Sequence, residues 1–216
     1  MARSYDDPCG VARALDVIGE RWALLVVREL LAGPRRFTDL RTGLPGASQN
    51  VLSQRLRELR AAGVVRRRRL GPPLDAWVYE LTGRGRELEA VLVPLARWGG
   101  RAPLASRAEL SAAALVLALR TTFDAAAAGD MRATIGLTLG DDRFRAEVAG
   151  GRIEIVRGDS DRPDAVLDTD VATLRSLVFR RLPPAEAIAA GDLRLTGDAG
   201  TADRFLTLFP RPAPAP

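Results

Sequence analysis

The feature that most constrains this chain is the way residues 33–82 are punctuated. Gly43-Leu44-Pro45-Gly46 closes a short helix predicted near Phe37 to Thr42, because neither Pro nor Gly sustains a helix. Ser48 follows, with a hydroxyl suited to accept from an unpaired first-turn N–H. From about Gln49 to Ala62, Leu52, Leu56 and Leu59 fall on one stripe at 100° per residue, and Gly63 supplies a left-handed stop. Val64 to Leu70 then reads as a strand, Gly71-Pro72-Pro73 as a turn and Ala76 to Leu81 as the returning strand. Helix, turn, helix and hairpin in that order predict a winged helix.

The flanks agree with this. Residues 9–18 and 21–31 read as helices, the second with Trp22, Leu25, Val26 and Leu30 on one face. Thr82 caps a later helix carrying Leu88, Val91, Leu92, Leu95 and Trp98 on one side, with Pro94 expected to interrupt it. Gly99-Gly100 with Pro103 makes a linker. A length of 216 residues suits two small domains, expected at 1–101 and 105–210, with a Pro-rich, disordered tail at 211–216.

Charge is distributed unevenly between these halves. The net charge is +5, but residues 1–101 carry 18 Arg against 11 acids. Arg35 to Arg69 alone contains ten Arg against Asp39 and Glu58, a concentration that attracts polyanions. Asn50, Ser53, Gln54 and Arg57 lie on the helix stripe opposite the leucines, and amide, hydroxyl and guanidinium groups read base edges. With Ser48 and Gln49 at the same helix's start, they are the candidate DNA contacts. Arg66, Arg67, Arg68 and Arg69 alternate sides of the first hairpin strand and are assigned to phosphates or the adjacent minor groove. Arg35 and Arg36 are weaker phosphate candidates. The bland reading of all these residues is a solvated face.

Other chemistries find little support. No His occurs and Cys9 is the lone cysteine, which excludes His triads, His-ligated zinc and an intramolecular disulfide. No enzyme activity, cofactor or metal is expected. Asp6 and Asp7 stand where a secretory signal needs apolar residues. The apolar run Ala112 to Leu119 is far short of the ~20 residues that span a bilayer, so a cytoplasmic protein without membrane association is expected. Cys9 is either a small apolar residue in a dimer seam or a redox-sensing thiol activated by a helix N-terminus. Trp22, Trp77 and Trp98 read as core or dimer anchors.

Cys9, Leu15-Asp16-Val17-Ile18-Gly19, Arg21-Trp22, Arg28-Glu29-Leu30, Arg36-Phe37-Thr38-Asp39-Leu40, Leu52-Ser53-Gln54-Arg55-Leu56, Gly63, Pro72-Pro73 and Tyr79-Glu80-Leu81-Thr82 resemble an HxlR-type transcriptional regulator. Gly10 departs from the Pro common after that Cys. The resemblance implies a homodimer that binds double-stranded DNA, paired through its terminal helices, and a Cys used as a sensor.

The second half changes character. An Ala/Leu-rich helix is expected over residues 107–128, followed by half-buried strands at Ile135-Leu139, Phe144-Val148, Ile153-Ile155 and Ala165-Leu167. Helices with Val171, Leu174, Leu177 and Val178 and at 184–190 come next, then a strand at Leu193 to Thr196 and a last helix, Thr201 to Leu208. The fold class is α+β, a winged helix-turn-helix followed by a small α+β domain with an antiparallel sheet. Asp141-Asp142 and Asp159/Asp161 read as turn residues, not catalytic pairs. Ala187 to Gly191, Leu193-Arg194-Leu195-Thr196-Gly197-Asp198 and the terminal helix resemble the sterol-carrier-protein type of lipid-binding domain. That resemblance implies a cavity for a lipid-like ligand, with Leu177, Phe179, Leu182, Ile188, Phe205, Leu208 and Phe209 as candidate lining; a filled core is the competing reading. The sequence therefore supports a dimeric DNA-binding regulator responsive to an apolar molecule. The alternative is a lipid carrier whose basic N-terminal half binds a membrane surface or a protein partner.

Overall fold

The computed structural model describes residues 4–72, 75–102 and 108–211. Pro73 of the hairpin turn, Pro103 of the expected linker, the helix start read at 107 and residues 212–216 of the tail lie outside these. The chain divides into two compact units, Met1–Leu92 and Val93–Pro216.

The first unit runs α1 (Gly10–Ile18), α2 (Ala23–Leu31), α3 (Phe37–Gly43), α4 (Gln49–Ala61), β1 (Val65–Arg69), β2 (Trp77–Leu81), α5 (Gly83–Glu87) and the start of α6 (Glu89–Gly99). Ser48 Oγ accepts the Val51 N–H at 3.3 Å and caps α4, while Gly63 takes φ +70° after it. β1 and β2 pair antiparallel, with Val65 opposite Leu81 and Arg69 opposite Trp77. The helix expected from Thr82 breaks at Leu88, not at Pro94. Gly83 and Gly85 weaken its first turn and the Leu88 N–H tightens onto Gly85 O. Pro94 sits inside α6, where it removes a single donor.

Leu52, Leu56 and Leu59 of α4 are 0–1 % exposed and pack on Val26, Val27 and Leu30 of α2, Leu40 of α3 and Val65 and Leu81 of the hairpin. Burial of each such leucine contributes about 1.5–3 kcal/mol, which fixes the polar stripe of α4 outward. Leu25, expected inward, is exposed, and Val27 occupies the buried position instead.

One charged cluster lies inside this core. Glu29 of α2 is fully buried; its Oε1 accepts from Arg28 at 2.8 Å and its Oε2 from Arg35 Nη1 at 2.8 Å. The backbone of Arg35 also bridges Tyr79 of β2 in both directions, at 3.0 and 2.8 Å. Gly43 closes the pocket: a Cβ there would stand 2.3 Å from Glu29 Oε2. The pair thus ties α2, the end of α3 and the hairpin together.

The second unit contains α7 (Ala112–Thr122), α8 (Ala125–Ala128), β3 (Ala133–Leu139), β4 (Asp142–Ala149), β5 (Arg152–Arg157), β6 (Ala165–Thr169), α9 (Val171–Phe179), α10 (Pro184–Ala190), β7 (Leu193–Gly197) and α11 (Ala199–Leu206). The single helix expected to reach 128 is interrupted. Asp124 accepts from the N–H groups of Ala126 and Ala127 and starts α8 afresh, and Phe123 turns out to pack on Phe209 with ring centroids 6.2 Å apart. The strands lie in the order β5-β4-β3-β6-β7. The sheet is mixed where an antiparallel one was expected, because β6 runs parallel to β3 with Ile135 opposite Ala165. Alternation carries no direction, and the β4–β5 hairpin lies between β3 and β6 in the chain, so β6 returns beside β3 running the same way. Asp164 anchors the crossing: its N–H bonds Thr134 O at 2.8 Å and its carboxylate accepts the Thr134 N–H at 2.7 Å. Gly150 and Gly151, at φ +57° and +68°, make the tight β4–β5 turn that L residues resist. No described helix is long and apolar enough to cross a membrane.

Replacing Glu29 by Ala should lower the stability of the first unit by about 3 kcal/mol or more, since it leaves a buried guanidinium without its carboxylate. Urea denaturation of the variant checks this; a loss below about 1 kcal/mol would show that the pair does not hold the unit together.

Candidate nucleic-acid interface and apolar cleft

The polar stripe of α4 points to solvent. Asn50, Gln54 and Arg57 are exposed, as are Ser48 and Gln49 at its start, and Ser53 is half-buried. Two of these side chains already bond each other, Arg57 Nη2 donating to Gln54 Oε1 at 2.5 Å, and Gln54 Nε2 donates to Glu58 at 2.6 Å. The amide is thereby held with a defined orientation, and a base edge must replace one of these partners.

The arginine-rich segment is less free than its count suggests. Arg35 is 6 % exposed and bound to Glu29, so it is removed from the phosphate candidates: burial and the pairing with Tyr79 leave no face for DNA. Arg36 remains exposed at the start of α3, where Asp39 accepts its N–H at 3.1 Å. Arg66 and Arg68 share one face of the hairpin and both bind Glu80, at 2.6 and 2.7 Å. Arg69 pairs with Asp75 at 2.7 Å. On the other face Arg67 lies over Trp77, with its guanidinium carbon 4.5 Å from the ring centroid. Among the described residues, Arg36, Arg41, Arg57, Arg60 and Arg67 are the members of this segment without a carboxylate partner.

Four of the arginines converge. Arg57, Arg60, Arg66 and Arg67, with Ala61 and Val65, line a groove of about 450 Å³ between the end of α4 and β1. Arg60 was not singled out from the sequence; its position three residues after Arg57, on the same helix face, was the available signal. Guanidinium groups that line one groove are donors of the kind that bind phosphate oxygens.

Glu80 holds one of those four arginines, Arg66, and with it Arg68, which does not line the groove. Burial opposes its ionisation, but hydrogen bonds and charge from Arg68 and Arg66 outweigh this and hold its carboxyl below the ordinary glutamate range. Cys9, at the start of α1, is exposed, so in this chain it is not a buried residue. The N–H groups of Val11 and Ala12 lower its thiol pKa, with burial acting weakly the other way. Trp22 packs partly into the core, whereas Trp77 and Trp98 are 51 % and 77 % exposed, so of the two readings, core or dimer anchor, these two are not core residues of the single chain.

The candidate ligand pocket in the second unit is largely filled. Phe205, Leu208 and Phe209 are fully buried, and the Phe205 and Phe209 rings meet edge to face at 5.2 Å. Ile188 turns outward and is 46 % exposed. Phe179 is half-buried and does not line the cleft that remains. Only Leu177 and Leu182 of the expected set line it, together with Arg181, Pro183, Pro184, Asp203, Leu206 and Thr207. Its volume is about 190 Å³. Aromatic rings placed at pocket positions by the sequence interlock instead, because the helix break at Phe123 brings a third ring against them.

Since the Glu80 pKa is lowered on folding, its contribution to stability is complete above the ordinary value of about 4.3 and is lost as pH falls through the folded value. Wild type should exceed Glu80→Gln in stability by a constant margin above about pH 5, and the margin should shrink below pH ~4.3. Denaturation midpoints across this range measure it; a margin independent of pH would contradict a charged clamp.

Comparison with known proteins bears on both units. The profile of the HxlR-like helix-turn-helix family matches residues 17–105, and that of the SCP-2 sterol transfer family matches residues 115–210. The HTH-type transcriptional regulator YvaP of Bacillus subtilis is 37 % identical over 86 residues, which cover 40 % of this chain and 80 % of that protein. Mb3122 of Mycobacterium bovis, also named an HTH-type transcriptional regulator, is 43 % identical over 89 residues, 41 % of this chain and 56 % of its own length. The reduced form of the transcriptional regulator YodB from B. subtilis aligns with a TM-score of 0.39 at 29 % identity, covering 48 % of this chain and all of that one. With its caps, recognition-type helix and hairpin in place, the chain belongs to the HxlR-like helix-turn-helix family and carries an SCP-2-type domain after it.

Proposed function

We infer that this protein is a dimeric transcription regulator that reads duplex DNA with α4 and holds the phosphate backbone with the groove between α4 and β1. The observation that carries the reading is that groove: Arg57, Arg60, Arg66 and Arg67 converge beside an exposed stripe of amide and hydroxyl groups. With α4 in a major groove, Asn50 and Gln54 are placed for adenine edges and Arg57 for guanine, while Ser48, Gln49, Ser53 and Arg36 approach the flanking backbone. Arg68 and Arg69 contribute from the hairpin. Exposed Val11 and Leu15 on α1 and Val91 and Leu95 on α6 support pairing with a second copy. A two-fold pair sets two α4 helices in successive major grooves, about 34 Å apart.

The second unit supplies the regulatory input in this proposal. Its support is the SCP-2 family match and the cleft lined by Leu177 and Leu182. About 190 Å³ lies below the ~300–1,000 Å³ of pockets for drug-sized ligands, so the effector is a small or chain-like apolar molecule. Cys9 is a second input, supported by its exposure and lowered pKa; with no other cysteine, a disulfide must join two chains.

Gln54→Ala should relax sequence preference at one or two base positions. Arg60→Ala should weaken binding to all sequences alike and reduce the log-affinity against log-salt slope by about one. An absence of association with any duplex at low salt overturns the reading. Native mass spectrometry tests the first input, with a co-purifying apolar mass expected; a denaturing gel tests the second, where diamide treatment should yield a covalent dimer that reductant abolishes. Protein of bare mass that forms no covalent dimer under oxidation contradicts both inputs.

A further inference from the structure

The residues after α6 and the residues after α11 meet in the second unit. The Asp124 N–H donates to Leu208 O at 2.8 Å, which draws the chain that follows α11 alongside the start of α8. Arg97, near the end of α6, donates from Nη2 to Thr121 O at 3.2 Å, in the last turn of α7, where free helix carbonyls attract a cation. Arg101 follows four residues later, in a turn closed by its own N–H on Trp98 O at 3.3 Å. Arg97, Arg101 and Arg211 thereby line one groove of about 500 Å³, and every residue lining it belongs to the second unit.

The charge of this groove is unspent. None of its three arginines has a carboxylate partner among the described residues, although Asp124 lines the same groove. Asp124 is occupied by α8, where its Oδ1 accepts the N–H groups of Ala126 and Ala127 at 2.9 and 3.1 Å. Arg97 is engaged by Thr121, so Arg101 and Arg211, both exposed, are the donors left for an anion. The walls beside them are apolar but short: the Phe123 ring, the methyl groups of Ala125 and Ala126, and the Pro210 ring. Among the described residues no Leu, Ile, Val or Met lines the groove. An alkyl chain finds no continuous aliphatic wall there, whereas a flat ring finds a phenyl, a pyrrolidine and guanidinium planes to lie against.

We propose that this groove binds an aromatic carboxylate, a planar ring system bearing one acid group. The acid lies between Arg101 and Arg211, whose N–H groups donate to its two oxygens. Arg97, already fixed by Thr121, covers the ring face, and Phe123 and Pro210 shield the rest of the ring from water. The volume falls within the ~300–1,000 Å³ of small-molecule pockets and admits two fused rings. Binding here is independent of how the first unit meets DNA, and the groove shares no lining residue with the cleft beside Leu177 and Leu182. Because Arg97 belongs to α6, the bound acid fastens the end of that helix to the segment after α11.

Isothermal titration of the full-length protein with naphthoate tests the site, against naphthylmethanol, which lacks the charge, inorganic phosphate, which lacks the ring, and decanoate, which has a chain instead. Wild type should bind naphthoate at least about tenfold more tightly than naphthylmethanol or phosphate. Arg101→Gln and Arg211→Gln should each weaken naphthoate roughly tenfold or more. Ala126→Glu, at an exposed position of α8, sets a carboxylate against the arginines and should abolish naphthoate binding, while any affinity for decanoate survives it. Arg132→Gln removes an exposed arginine outside the groove and should leave naphthoate affinity as it is. Circular dichroism confirms the fold of each variant. Failure of wild type to bind naphthoate overturns the proposal and leaves the regulator reading and the cleft beside Leu177 untouched. Unchanged affinity in Arg101→Gln, Arg211→Gln and Ala126→Glu would put the acid elsewhere, and an equal loss in Arg132→Gln would show diffuse attraction of an anion; either result overturns it. Loss of decanoate together with naphthoate in Ala126→Glu would make the groove a chain binder and overturns the ring assignment.

Discussion

The geometry of the DNA-binding unit depends on one buried ion pair. Glu29 lies in the last turn of α2 with no exposure, and a carboxylate there is tolerable only because Arg35 and Arg28 both reach it. Arg35 is in turn bound through its backbone to β2, and Gly43 must lack a side chain for the pair to fit. Hydrophobic burial would hold α2 and α4 together without this pair, but leucine contacts are non-directional. The hydrogen bonds of Glu29 and Arg35 set where α3 ends and how the hairpin leans on the helices. The unit that carries the arginine groove is thus braced by a polar contact that joins α2 to the segment paired with β2.

The same logic explains how few of the arginines are available to a partner. Each one drawn to an internal carboxylate has lost part of its attraction for phosphate, and Arg35, Arg55, Arg66, Arg68 and Arg69 all have such partners. What remains is not spread evenly. Arg57 and Arg60 leave the end of α4, Arg67 leaves β1, and all three face one groove. Internal pairing therefore turns a diffuse positive segment into a localised one, which is what separates recognition from general attraction to polyanions.

The SCP-2-type unit shows the limit of pattern reading in a core. Its strands and helices fall near the positions predicted by alternation and capping, but whether apolar residues surround a void or fill it depends on shapes meeting from distant segments. Phe123, Phe205 and Phe209 come together because Asp124 ends one helix and begins another. A compact cleft beside Leu177 and Leu182 is left where a lipid-sized cavity was expected.

The sequence by itself determined the winged-helix order, the caps at Ser48 and Thr82, the stop at Gly63, the inward leucines of α4 and its outward polar stripe. All of these are local: they depend on spacing along a few residues and on the backbone preferences of Gly, Pro and Ser. Tertiary structure alone decided that Arg35 is buried, that Arg66 and Arg68 share Glu80, that β6 runs parallel to β3, and that Trp77 stands exposed under Arg67. Those outcomes join residues separated by half a helix to several strands, and the energy of a charge or a ring depends on what surrounds it in space. Neighbours of that kind leave no periodic mark in the chain.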